Sequence, residues 1–256
     1  GIIVTNNNLH VRSTTSNPKY AWAFKDILEE QMAITKVIDI EWNISKDGYI
    51  KPVLILKPVN IGGVEIKRVT AINAKYVIDN KLGPDAEIKI IRSGDVIPKI
   101  LKVLKPATKI IMPSIKWNWN KTKIDIIVAD KECCDIQIKS IYHFFKTLNT
   151  TGIGEKTIQK LYHSKLNTIE KIIKATKNDF LKIDGIKEKG AENLQKNIKI
   201  SLTNAELNKI MGGSNYFGHG LGSKKLKLIL QTYPNIINDG IKWNKKEMLE
   251  KITEIK

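Results

Sequence analysis

The sequence has few cysteines, few arginines and no long hydrophobic run. Its two cysteines, Cys133 and Cys134, are neighbours, a spacing that favours neither a disulfide nor a four-ligand zinc site. We interpret them as reduced thiols of an intracellular protein. No apolar run is long enough to cross a membrane, and no signal-peptide pattern opens the chain. We therefore expect no membrane association.

The chain is strongly basic, with 43 Lys and Arg residues, 26 Asp and Glu residues and a formal net charge of +17. Such an excess favours a polyanionic partner. Three of these basic residues are arginine (Arg12, Arg68 and Arg92), and Lys, Ile and Asn are abundant together. That combination is typical of an AT-rich genome, so part of the charge reflects codon composition. The clustering of the lysines is better evidence than their number.

One glycine pattern occurs three times in the second half of the chain. Each copy has a glycine, an apolar residue, a glycine or lysine, a short basic stretch and then apolar residues at helical spacing. The copies begin at Gly152, Gly185 and Gly220. Apolar segments precede them at 141–148, 180–183 and 207–211. The pattern predicts helix, glycine turn and helix, three times over.

The chemistry of these turns suits an anion. Glycine permits positive φ and a close approach of another backbone, and the turn amides lie at the start of a helix, where unpaired N–H groups favour negative charge. The predicted DNA-binding residues are Gly152, Gly154, Lys156, Gly185, Lys189, Gly220, Gly222, Lys224 and Lys225. The alternative is an ordinary helical hairpin with a solvated lysine face. Repetition of the pattern favours binding to the DNA backbone.

Short strands separated by glycine and proline are predicted before the hairpins. They cover 35–44, 49–58, 64–70, 87–91 and 95–103, with a short helix at 73–80. Shorter β-like segments lie at 1–4 and 18–25. Five strands with an intervening helix are typical of a small OB-type barrel, although an SH3-like barrel or a sandwich fits the strand count almost as well. The predicted fold class is mixed and multidomain: a β-rich OB-fold barrel followed by an all-α tandem helix-hairpin-helix domain.

Several segments resemble the NAD-dependent DNA ligase family. They are 20–25, 48–53, 57–59, 70–74 and 92–98, followed by the glycine hairpins in the family's order. The most specific is 92–98, which contains Gly-Asp-Val-Ile-Pro after an arginine. The resemblance implies the end of an adenylation domain at 1–32, an OB-fold domain at 33–108, a degenerate zinc-module region or linker at 109–136 and a tandem helix-hairpin-helix domain at 137–256.

The resemblance also implies an activity. In this family a lysine attacks NAD, AMP passes to the 5′-phosphate of a nick, and the 3′-hydroxyl displaces it, in replication and repair. It implies NAD, bound mainly by parts upstream of this chain, and magnesium as cofactors. The implied partner is duplex DNA with nicks, and the implied state is a monomer. Lys25 is placed on the adenylate phosphate, as a catalytic and cofactor-binding residue, and Lys46 and Arg92 are placed near the DNA.

The sequence departs from the family pattern at several points. We interpret the family's catalytic Lys-x-Asp-Gly motif and its NAD-capturing N-terminal domain as absent, and Thr5 stands where a strand lysine is expected. Residues 112–115 replace Cys-Pro-x-Cys, so we predict no zinc, and we expect 110–128 to be held by packing around Trp117 and Trp119. Residues 246–256 resemble the first half of a fourth hairpin.

Three functions remain in view. The first is a partial chain of an NAD-dependent DNA ligase that binds DNA but does not ligate it alone. The alternative is a non-catalytic OB and helix-hairpin-helix protein that has lost the nucleotidyltransferase core, which Thr5 favours. An unrelated OB-hairpin protein of recombination or repair explains the hairpins, but not the segments at 24–25 and 94–98.

Overall fold

The computed structural model describes residues 2–11, 17–24, 31–93, 97–130, 132–218 and 220–239. These residues form two compact units. The first holds the described residues of Gly1–Ile44 and Tyr49–Ala129, and the second holds Ser45–Gly48 with the described residues of Asp130–Lys256. Across these ranges, no helix is long and apolar enough to cross a lipid bilayer. Lys25, the segment 94–96 and the predicted fourth hairpin lie outside the described residues.

The chain begins with a two-stranded ribbon in the first unit. Strands β1 (Ile2–Thr5) and β2 (Ala21–Phe24) pair antiparallel, with Thr5 opposite Ala21. The apolar side chains of Ile3 and Trp22 are exposed on it. Both short strands predicted in this part of the chain are confirmed.

A five-stranded antiparallel barrel follows in the same unit. Its elements are β3 (Met32–Ile44), β4 (Tyr49–Ile61), β5 (Val64–Thr70), α1 (Ala74–Asp79), β6 (Glu87–Ser93) and β7 (Ile97–Lys105). Strand β3 pairs with β4 and β6, β4 pairs with β5, β6 pairs with β7, and β5 lies near β7. This order, with a helix between the third and fourth strands, is that of an OB fold. The predicted OB-type barrel is therefore confirmed.

Alternating side chains explain why these segments form the barrel wall. In β4, Ile50, Pro52, Leu54 and Leu56 are buried, while the residues between them are partly exposed, as the two-residue period of a strand requires. An irregularity in β3 after Val37 divides the strand. The part before it pairs with β6 and the part after it pairs with β4, which is the local bend that a β-bulge produces.

The segment after the barrel joins the same sheet as a β-hairpin. Strand β9 (Ile126–Val128) pairs with β8 (Trp117–Trp119) and, through Ile126 and Ile127, with the start of β4. Ile126 is fully buried, whereas Trp119 is 36% exposed. The prediction that both tryptophans anchor this segment is thus wrong for Trp119. The aliphatic strand β9 supplies the buried side chains of this hairpin, Ile126 and Val128, and Trp117 is half-buried beside it.

Removal of metal should leave this hairpin intact. Within the described ranges, no three His, Cys, Asp or Glu side chains come together as a ligand set. The Trp42 indole also ties the segment to the barrel by donating to the Ile111 carbonyl oxygen at 3.0 Å. The predicted absence of zinc stays a prediction. We expect EDTA to leave the unfolding temperature unchanged; a fall of several degrees, or one zinc per chain by atomic absorption, would contradict it.

The second unit is helical. Its helices are α2 (Cys134–Thr147), α3 (Glu155–His163), α4 (Ile169–Lys174), α5 (Lys177–Leu181), α6 (Glu188–Thr203), α7 (Leu207–Gly213), α8 (Ser223–Thr232) and α9 (Ile236–Asp239). Phe145, Ile158, Leu161 and Phe180 are fully buried in one core. We call α2–α3, α5–α6 and α7–α8 the first, second and third hairpins. The predicted tandem arrangement of three hairpins is confirmed.

Candidate nucleic-acid interface

The three hairpin turns share one backbone conformation. Gly152, Gly185 and Gly220 have φ of +80°, +77° and +98°, a region that L side chains rarely occupy. Two residues later the helix N-cap is extended, with φ and ψ of −95° and 171° in the first hairpin, −94° and 172° in the second, and −84° and 174° in the third. These N-cap residues are Gly154, Lys187 and Gly222. The first position of the repeat therefore requires positive φ, whereas the third position is an extended N-cap residue that does not require glycine.

In the described part of the chain, the helices that follow these turns, α3, α6 and α8, have no N-cap side-chain hydrogen bond to the first helical turn. By contrast, Asn73, Thr168 and Thr176 cap α1, α4 and α5 with their side chains. Helices α2 and α7 also lack a side-chain cap, so this feature is informative only beside the glycine turns. There it leaves helix amides available to an anion.

The first two hairpin turns open on one shared groove, with a volume of about 700 Å³. Gly152, Lys156 and Lys160 line it from the first hairpin, and Gly185 and Lys187 line it from the second. The structure thus brings together three residues that the sequence singled out. A neighbouring hollow of about 660 Å³ is lined by Lys156 and Lys160 as well. The starts of α3 and α6 and the side chains of Lys156, Lys160 and Lys187 therefore meet at the shared groove.

Sequence reasoning missed two of these lysines. Lys187 occupies the third position of the glycine pattern, where the other copies have glycine, and it proves to be the N-cap of α6. Lys160 lies one helical turn after Lys156, so its four-residue spacing on a helix was the available signal. Lys189, which was predicted, is exposed on α6 but is not among the residues that line the groove.

Hydrogen bonds fix the two turns relative to each other. Thr150 Oγ1 donates to Ser201 Oγ at 2.8 Å, and both side chains are buried. Asn197 Nδ2 donates to the Thr151 carbonyl oxygen at 3.0 Å, so α6 holds the first turn at two points. Lys160 Nζ donates to the Asp184 carbonyl oxygen at 3.2 Å. The spacing between the two helix starts is therefore set before any ligand arrives.

Lysines near the groove differ in how their charge is used. Lys139 pairs with Glu155 at 2.6 Å, and Lys177 pairs with Glu188 and Glu192. The hydrogen bonds that Lys177 donates to the carboxylates of Glu188 and Glu192 raise its pKa. Lys156, Lys187 and Lys189 form no ion pair with any carboxylate of the described residues. Their charge is available to a polyanion.

The third hairpin has a longer and more polar loop. Lys224 and Lys225 are exposed in the first turn of α8, next to Gly222. Lys46 Nζ donates to Asp47 Oδ1 at 2.9 Å and to Asn215 Oδ1, so part of its charge is neutralised. Lys46 thus holds the loop of the third hairpin through Asn215. The predicted contact of Lys46 with DNA stays a prediction.

Two predicted residues belong to the first part of the chain. Arg92 is half-buried on β6; its Nε atom is buried and has no hydrogen-bond partner among the described residues. Its role near DNA stays a prediction. Lys25, assigned to the adenylate phosphate, lies outside the described residues.

The letters Lys-x-Asp-Gly do occur once in the chain, at 182–185. The structure places them in the second hairpin turn, where Lys182 is highly exposed and pairs with Asp179 at 3.1 Å. Gly185, the last letter, has the positive φ of the turn. This tetrad is therefore a hairpin element and not the nucleophile motif of an adenylation domain.

Comparison with known proteins agrees with both units. The sequence model of the NAD-dependent DNA ligase OB-fold domain matches residues 34–109, and that of the SAM-like helix-hairpin-helix tandem matches residues 147–199. The chain is 42% identical over 253 residues to the DNA ligase of Acanthamoeba polyphaga mimivirus, covering 96% of this chain and 39% of that protein. It is 32% identical over 217 residues to the DNA ligase of Clostridium tetani, covering 78% of this chain and 32% of that protein.

The chain thus spans well under half the length of these relatives. The two domain matches follow each other in the order of the barrel and the hairpins described above. Both similarities extend across most of this chain. The chain belongs to the NAD-dependent DNA ligase family, in which it corresponds to the region of the OB-fold and helix-hairpin-helix domains.

Proposed function

We propose that this chain is the DNA-gripping part of a ligase that seals nicks between a 5′-phosphate and a 3′-hydroxyl in duplex DNA, with NAD as the source of AMP. The observation that carries the proposal is the shared groove. Two uncapped helix starts and the ammonium groups of Lys156, Lys160 and Lys187 converge there. Amides and ammonium groups complement phosphodiester oxygens and need no base edge. Such a grip is independent of DNA sequence.

The residues of this chain would bind and orient DNA. NAD would supply the adenylyl group, and a divalent metal such as magnesium would neutralise phosphate charge during its transfer. Lys25 is the residue of this chain proposed to hold the adenylate phosphate, and Lys46 and Arg92 are proposed to contact DNA from the OB part. We expect the chain alone to bind DNA as a monomer without ligating it.

Thr5 favours a second candidate, a non-catalytic DNA-binding protein. It lies on β1 opposite Ala21, and its neutral hydroxyl stands where the family resemblance leads one to expect a lysine. A hydroxyl cannot balance the charge of an adenylate phosphate as an ammonium group does. This candidate would bind DNA through the same groove as the ligase. It differs from the ligase only in that it would not transfer AMP or seal the nick.

One experiment separates the two candidates. The 256-residue chain should bind a nicked duplex with an affinity that falls steeply and log-linearly with salt and depends little on sequence. The complete product of the gene, incubated with labelled NAD, should form a covalent protein–AMP adduct and seal the nick. DNA binding without an adduct from the complete product would favour the non-catalytic protein, and loss of DNA binding would overturn both.

A further inference from the structure

A glutamate opens the second helix of the first two hairpins, close to where a phosphate is proposed to bind. Glu155 is the first residue of α3, and Glu188 is the first residue of α6. An acidic residue at this position stabilises a helix through its dipole, which is useful where no side chain caps the helix. The same carboxylate repels a phosphate that approaches the helix amides. The two requirements conflict.

A lysine of the preceding helix meets each of these glutamates. Lys139 of α2 pairs with Glu155 at 2.6 Å. Lys177 of α5 pairs with Glu188 and also with Glu192, the latter at 2.6 Å. The two hairpins thus use the same arrangement, although the lysines come from different places in their helices.

The third hairpin supplies an internal comparison. Its second helix, α8, opens with Ser223 instead of an acidic residue. The serine is uncharged, and an ion pair of this hairpin joins Lys227 of α8 to Glu206, the N-cap of α7. The arrangement therefore occurs in the two hairpins that have the acid and not in the one that lacks it.

The lysines of these pairs are less exposed than the lysines of the other helix pairs in the described part of the unit, although Glu188 is itself 68% exposed. The Lys139 and Lys177 side chains are 35% and 30% exposed, whereas Lys174, which pairs with Glu170 on α4, is 74% exposed. Screening by water is weakest for the Lys139–Glu155 pair, in which both side chains are 35% exposed, so its geometry and its cancellation of charge are the best defined.

We propose that Lys139 and Lys177 are positioning residues for DNA binding. Each neutralises the glutamate at the start of the next helix, so that the turn amides and the lysines of the groove meet a phosphate without repulsion. Neither lysine needs to touch DNA. This inference rests on the proposed DNA-binding function of the groove.

A double-mutant cycle tests the proposal. The four proteins are the wild type, Lys139→Met, Glu155→Gln and the double variant, and their Kd for a nicked duplex is measured by fluorescence anisotropy at fixed salt. We expect Lys139→Met to weaken binding by about tenfold, within the coupling range of charges in contact. Glu155→Gln alone should change Kd by less than about twofold, and the double variant should return to within about twofold of the wild type.

The cycle separates local neutralisation from net charge. If only net charge mattered, Glu155→Gln would tighten binding by the same factor in both backgrounds, and that additive result would overturn the proposal. The salt dependence of the double variant should equal that of the wild type, because no phosphate contact is lost. Lys174→Met removes a lysine from a pair on α4 and should leave Kd within about twofold.

The second hairpin gives an independent repeat with Lys177→Met and Glu188→Gln. Because Lys177 also holds Glu192, the unfolding temperature of each variant is recorded, and rescue by Glu188→Gln at an unchanged unfolding temperature supports the proposal. Wild-type protein that fails to bind DNA would overturn the proposed function and this inference together. Wild-type binding with additive cycles in both hairpins would overturn this inference alone.

Discussion

Reversing the charges of Lys156 and Lys187 together should weaken binding to nicked duplex DNA by about a hundredfold or more at physiological salt. Both lysines line the groove between the first two hairpin turns, one from each hairpin. Neither forms an ion pair with a described carboxylate, so their charge is free to replace counterions on DNA. Loss of two phosphate contacts should also lower the slope of log Kd against log salt by about two units.

A matched pair of variants separates the groove from net charge. Lys171→Glu and Lys196→Glu change the charge of the protein by the same amount, and neither residue lines the groove. We expect that control to weaken binding far less and to leave the salt slope nearly unchanged. Equal losses in the two double variants would mean that the charge of the whole protein, rather than the groove, governs binding.

The sequence predicted the turns well because their chemistry is local. A glycine with positive φ, an apolar residue and a helix start are encoded within a few neighbouring residues, and Gly152, Gly185 and Gly220 have the expected conformation. The barrel strands were predictable for the same reason, since the alternation of buried and exposed residues in β4 is visible in the sequence. Both the hairpin turns and the barrel strands could therefore be predicted from patterns among neighbouring residues.

The groove was not predictable, because residues far apart in the chain build it. Thr150 and Ser201 hold the first turn against α6, and Lys160 reaches the Asp184 carbonyl oxygen in the second turn. Only this packing shows that Lys187 faces the groove while Lys189 does not line it. Lys46 is a similar case, because its contact with Asn215 joins residues distant in sequence. A local pattern contains no signal for such pairs.

Aspartate at Gly154 and Gly222 should move stability and DNA affinity in opposite directions. Both residues are N-caps with negative φ, and a Cβ added at either meets no atom within 4 Å. An aspartate there can accept a hydrogen bond from the helix amides and should raise the free energy of unfolding by about 0.5 kcal/mol per helix. The same carboxylate occupies the amides proposed to bind phosphate. We expect Gly154→Asp with Gly222→Asp to weaken binding by about a hundredfold.

Three further variants identify the cause of that loss. Gly154→Ser caps the same amides without adding charge, and it should weaken binding by about tenfold. Thr168→Asp adds one charge, half that of the double aspartate variant, at the N-cap of α4, where the Thr168 side chain already caps the helix, and it should leave Kd within about threefold. Gly212→Ala serves as a packing control. Its Cβ would lie 2.5 Å from the Ser223 backbone nitrogen, so this variant should have a lower unfolding temperature.

If Gly154→Ser and the double aspartate variant bind DNA as the wild type does, the helix amides are not the phosphate site and the lysines alone hold the DNA backbone. A loss of affinity with an unchanged or raised unfolding temperature has no explanation in misfolding, so that combination assigns the phosphate to the helix starts.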